Sequence, residues 1–108
     1  MGRLNMIKHI VMWTIKTNVD GATKEEIVKI LKVMLEGLKE TIPVIHALEV
    51  GVNVNPGDTA YDIVLMSEFK NRNDLEIYQK HPDHVKVADF AGWVRELRAV
   101  VDYEVHSQ

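Results

Sequence analysis

The chain has 108 residues, 46% hydrophobic and 27% charged, which are proportions of one compact domain and not of a disordered, collagen-like or low-complexity polypeptide. Thirteen Lys and Arg against sixteen Asp and Glu leave a formal net charge of −3, so neither a nucleic-acid nor a membrane partner is expected. The lack of cysteine excludes disulfides and thiolate chemistry and points to a reducing, cytoplasmic setting, and no apolar run approaches the roughly 20 residues of a membrane span.

Residues 1–5 lack the apolar segment of a signal peptide and are set aside as an N-terminal extension to a single domain over residues 6–105. Residues 6–15 (MIKHIVMWTI) are apolar and β-branched and read as a first strand. Residues 17–21 (TNVDG) carry turn chemistry. Thr23 followed by Glu26 matches a capping box, in which each side chain satisfies a free backbone donor of the other residue. Behind it Ile27, Ile30, Leu31, Met34, Leu35 and Leu38 form one helical stripe, which Pro43 ends near Thr41 because a residue before proline is pushed out of the α region.

Residues 44–53 and 60–69 read as a second and third strand, joined by a turn around Asn55-Pro56-Gly57-Asp58 and so able to form an antiparallel hairpin. Residues 71–74 offer N-caps for a short helix with Leu75 and Tyr78 as its apolar residues. His81-Pro82 breaks it, and Pro82 opens a further helix with Val87, Phe90, Ala91, Val94 and Leu97 as the buried stripe. Residues 99–105 form the last strand. The order β-α-β-β-α-β predicts an α+β, ferredoxin-like fold: a four-stranded antiparallel sheet in the order 4-1-3-2 with its helices on one face.

A sheet covered on one face alternates apolar and polar residues. The first strand does not, since Ile7, His9, Val11, Trp13 and Ile15 fall on one face and Met6, Lys8, Ile10, Met12 and Thr14 on the other. Ile63 and Leu65 against Val64 and Met66 repeat the pattern in the third strand. Helices cover only one of these faces, so the second is expected to pack on a twofold copy of the chain, giving an eight-stranded barrel across a homodimer.

Several segments together resemble the stress-responsive A/B barrel (Dabb) family: Met6-Ile7-Lys8-His9-Ile10-Val11, Ile42-Pro43, Glu49-Val50-Gly51, Tyr61-Asp62, Tyr78-Gln79-Lys80-His81-Pro82-Asp83-His84-Val85 and Val101-Asp102-Tyr103-Glu104. The resemblance spans nearly the whole chain and implies a dimeric α+β barrel with a small-molecule pocket, of undefined molecular function. Its enzymatic members include polyketide cyclases that work without metal or organic cofactor, and residue-by-residue matching places their catalytic positions at His84, Tyr78 and His9. A further pocket histidine of those cyclases is replaced by Ile63.

His84 as base, Tyr78 as hydrogen-bond donor and His9 as orienter would form a metal-free acid–base site walled by Val11, Trp13, Ile63 and Leu65, suited to a small apolar or phenolic ligand. Two alternatives stay open: the three residues are structural, with the His-Pro-x-His segment shaping a helix junction, or His81 and His84, with Asp83 between them, belong to a metal-ligand set. Since zinc takes three or four ligands, no metal or other cofactor is expected. A cofactor-free cyclase or lyase, a cofactor-free monooxygenase and a binding module without turnover are the functions compatible with this reading.

Overall fold

The computed structural model describes residues 4–107; of the expected extension, residues 1–3 lie outside them. β1 (Leu4–Ile15) starts at Leu4. The expected turn that follows is a hairpin, β2 (Asn18–Val19) with β3 (Ala22–Thr23). Asp20 and Gly21 at its tip take φ of 49° and 88°, and a two-residue Asp-Gly loop with both residues left-handed matches the twist of the paired strands. α1 (Lys24–Thr41) opens on the predicted capping box: the Glu26 N–H donates to Thr23 Oγ1 at 3.2 Å and the Thr23 N–H to Glu26 Oε1 at 3.0 Å.

The α1 stripe needs one correction. Ile30 is 49% exposed, and Val28 is buried in its stead with Ile27, Leu31, Leu35 and Leu38. The helix packs chiefly on β4 (Ala47–Val52) and against the later helix over Pro82–Val94, which centres its buried arc on Leu31 and Leu35 and turns Ile30 outward. β4 and β5 (Ile63–Phe69) are shorter than expected, because Ile45 donates back to the Ile42 carbonyl after Pro43 and Asp62 is drawn aside to accept from the Ile15 N–H at 2.7 Å. α2 (Arg72–Lys80) carries Asn71 as N-cap, and α3 (Pro82–Val94) begins at the proline. α3 ends earlier than the apolar spacing suggests: β6 (Arg95–Ser107) follows directly, so Leu97 is a strand residue, 58% exposed.

The main sheet runs β4-β5-β1-β6, all pairs antiparallel. The expected numbering 4-1-3-2 is corrected by the β2–β3 hairpin, which adds two strands outside the sheet; read from the β6 edge, the long strands are the fourth, first, third and second. Ile7, His9, Val11, Trp13 and Ile15 are all buried, as are Ile63, Leu65, Ser67 and Phe69. This inner face meets Leu31, Leu35, Leu38, Leu75, Tyr78, Val87 and Ala91 from the helices in one core. The molecule is only 18 Å across its shortest dimension, room for one sheet and one helix layer. Among the described residues no helix is long and apolar enough to cross a membrane.

Removing the cap in Thr23→Ala is expected to cost about 1 kcal/mol of stability. Urea unfolding checks this as a lower midpoint with an unchanged slope.

Candidate functional site

Strand register sets the floor of the site. His9 sits opposite Ser67 on β5 and opposite Asp102 on β6, so one polar row crosses an otherwise apolar sheet face. His9 is 2% exposed, and its Nδ1 lies 2.5 Å from Asp102 Oδ1. A carboxylate only accepts, so Nδ1 is the donor of this bond. Ser67, fully buried, donates to the His9 carbonyl at 3.4 Å.

Tyr78 comes down onto this row from α2. It is fully buried, with its ring centre 5.0 Å from Phe69, 6.1 Å from His9 and 4.4 Å from His84. Among the described residues no group hydrogen-bonds its hydroxyl. Burial pushes the phenol well above its ordinary value, so the O–H stays protonated.

The helix junction orients His84. His81 is both the C-cap of α2 and the N-cap of α3, its Nδ1 accepting from the Asp83 N–H at 3.1 Å. That use of the ring corrects the idea of His81 and His84 as a shared ligand pair; among the described residues no three His, Asp or Glu side chains gather as a metal site. His84 Nδ1 lies 3.0 Å from the Gln79 carbonyl and donates to it, leaving Nε2 unprotonated. Desolvation pushes the protonation of His84 down, opposed by the Gln79 hydrogen bond and reinforced by the Arg98 guanidinium.

These side chains line a cleft of about 350 Å³ between the sheet and α3. Val11, Trp13 and Leu65 line it as expected, and Leu35 joins them from α1. Ile63 does not; it pairs with Trp13 in the β1–β5 register and is buried in the core instead. Ala88, Ala91 and Gly92 give α3 a low profile over the cleft, and a Cβ on Gly92 would meet only open space. Asp102, Arg95 and Arg98 escaped the sequence reading. Asp102 shows no local signal, because its partner is 93 residues away and only the β1–β6 register joins them.

Residues 7–105 match the model of the stress responsive A/B barrel domain. A dimeric, ferredoxin-like protein of unknown function from Bacteroides fragilis is 39% identical, with a TM-score of 0.82 over 93% of this chain and 96% of that one. A dimeric ferredoxin-like protein of unknown function from Thermobifida fusca gives 0.79 at 21% identity over 94% and 92% of the two chains. The hydroxynitrile lyase of Passiflora edulis gives 0.80 at 15% identity over 93% of each chain, a likeness of fold alone. No curated protein matches the chain.

Since the Tyr78 hydroxyl is buried without a protein partner, Tyr78→Phe is expected to leave thermal stability unchanged or to raise it by up to about 1 kcal/mol. Calorimetric melting of the two proteins checks this.

Proposed function

The chain belongs to the stress responsive A/B barrel (Dabb) family, and from that premise we propose a homodimer whose subunits each hold a small-molecule pocket for cofactor-free proton transfer at a carbon acid, as in a cyclase or lyase. The dimer is supported by the outer sheet face. Ile10, Met12, Val64, Met66 and Val101 lie together there by register, with Met12 36% and Val101 54% exposed, and no helix of the same subunit covers them. The Bacteroides and Thermobifida relatives are themselves dimeric.

One observation carries the chemistry: His84 lines the cleft with its Nδ1 held by Gln79 and its Nε2 lone pair free, its ring centre 4.4 Å from that of the protonated Tyr78. A substrate carbonyl hydrogen-bonded to the Tyr78 hydroxyl loses an α-proton to His84 Nε2, and the electron pair of that C–H bond moves onto oxygen as an enolate. The enolate carbon then attacks a second carbonyl, whose π electron pair moves onto its oxygen and takes the proton from His84, or the enolate carbon takes that proton back itself. His9, anchored by Asp102, supplies a second oriented imidazole on the cleft floor.

Exchange of solvent deuterium into the α-carbon of 2,4-pentanedione, followed by NMR, tests the proton transfer. The expected result is enzyme-dependent exchange that falls by about 100-fold or more in His84→Ala with the dimer intact. Exchange equal in the two proteins, or none in either, leaves a binding module without turnover. The base is the neutral ring, whose protonation is pushed below its ordinary value of 6.5, so exchange persists as pH falls through 6.5 and is lost only under more acidic conditions. Sedimentation should give twice the 12.4 kDa subunit, and Met66→Glu, placing a charge on the outer face, should give the single subunit.

A further inference from the structure

Two arginines enter the cleft because of an irregularity in β6. Arg95 and Arg98 are three residues apart, and on a regular strand an odd spacing sends side chains to opposite faces. Here Trp13 pairs with Arg98 whereas Ile15 pairs with Arg95, so β6 carries one extra residue over this stretch of β1. Trp13 and Ile15 both belong to the inner face, and their partners therefore do too. Thr14 accommodates the irregularity, its hydroxyl accepting from the Leu97 N–H at 2.9 Å. Bulges of this kind re-aim side chains and recur beside binding sites.

Both arginines line the same cleft as His9, Tyr78 and His84. Among the described residues neither is in an ion pair. Asp102, the next carboxylate along this face of β6, is held by His9. The cleft thus has an apolar wall of Val11, Leu35 and Leu65 and, from β6, two guanidinium groups with no carboxylate to neutralise them. Guanidinium groups stay charged at any working pH and match a carboxylate through paired N–H donors.

We propose that Arg95 and Arg98 bind the carboxylate of the pocket's ligand, which makes that ligand a small organic acid with an apolar carbon body. This deepens the acid–base reading and rests on the cleft being a ligand site. The carboxylate sits at the β6 side and the carbon skeleton lies along the apolar wall, towards His84 and Tyr78. Substrate choice then follows from charge at one end and shape at the other.

Titration calorimetry with 3-phenylpropionate and its neutral amide tests this on the full chain. The acid is expected to bind about tenfold or more tightly than the amide. Arg98→Met and Arg95→Met should each weaken the acid towards the amide's affinity while leaving the amide unchanged, with circular dichroism confirming the fold. Equal affinity for acid and amide, no binding of the acid at millimolar concentration, or well-folded arginine variants that bind the acid as the parent does, would each overturn the proposal. His84→Ala separates the two readings, because it should abolish exchange yet keep the preference for the acid. A missing preference with His84-dependent exchange of 2,4-pentanedione sinks the arginine clamp alone, and a preference without exchange sinks the base alone.

Discussion

A single helix layer against a sheet apolar on both faces is the constraint from which the rest follows. α1, α2 and α3 bury the row from Ile7 to Ile15 and the matching residues of β5. The same strands turn Ile10, Met12, Val64 and Met66 the other way, where this subunit has nothing to lay over them. Burial of an aliphatic side chain contributes on the order of 1.5–3 kcal/mol, so a handful of such residues gives a twin subunit enough to hold on to. In the proposed homodimer that outer face is engaged, and the cleft lies on the inner face, between the sheet and α3.

On that inner face the molecule departs from a purely apolar core. A histidine, a serine and a tyrosine hydroxyl are buried together where leucines would pack with no polar group to satisfy. Two of them find partners: His9 takes Asp102 and Ser67 takes the His9 carbonyl. The Tyr78 hydroxyl finds none among the described residues. Unsatisfied polar groups cost stability, and sequences that keep them usually do so at sites of chemistry. The first turn of α3 adds His84, whose hydrogen bond to Gln79 fixes its tautomer.

How much of this was legible depended on the range of the interaction. Local signals read well: the Thr23–Glu26 box, a helix cap within residues 71–74, Pro82 at a helix start and the division of β1 into two faces all have their causes within a few residues. The Asp20-Gly21 hairpin was equally local but passed as a plain turn, since strands of two residues have no pattern to show. Leu97 misled because its spacing continued the α3 stripe, while pairing with β1 pulled Arg95 onward into strand. His9, Tyr78 and His84 were reached through family resemblance. Asp102 and the arginines depended on register and on one inserted residue, neither of which a single sequence displays.

β6 also has an architectural exposure of its own. It is the outermost strand of the sheet, thirteen residues long and bonded only to β1, so its far side presents a row of unshared amide and carbonyl groups. Such a border invites uncontrolled strand addition and, eventually, aggregation. This one is studded with Arg95, Glu96, Arg98, Asp102 and Glu104, and its kink near Leu97 spoils the straight template that an incoming strand needs. The irregularity that turns two cations into the cleft therefore also helps to keep the chain from polymerising along its own edge.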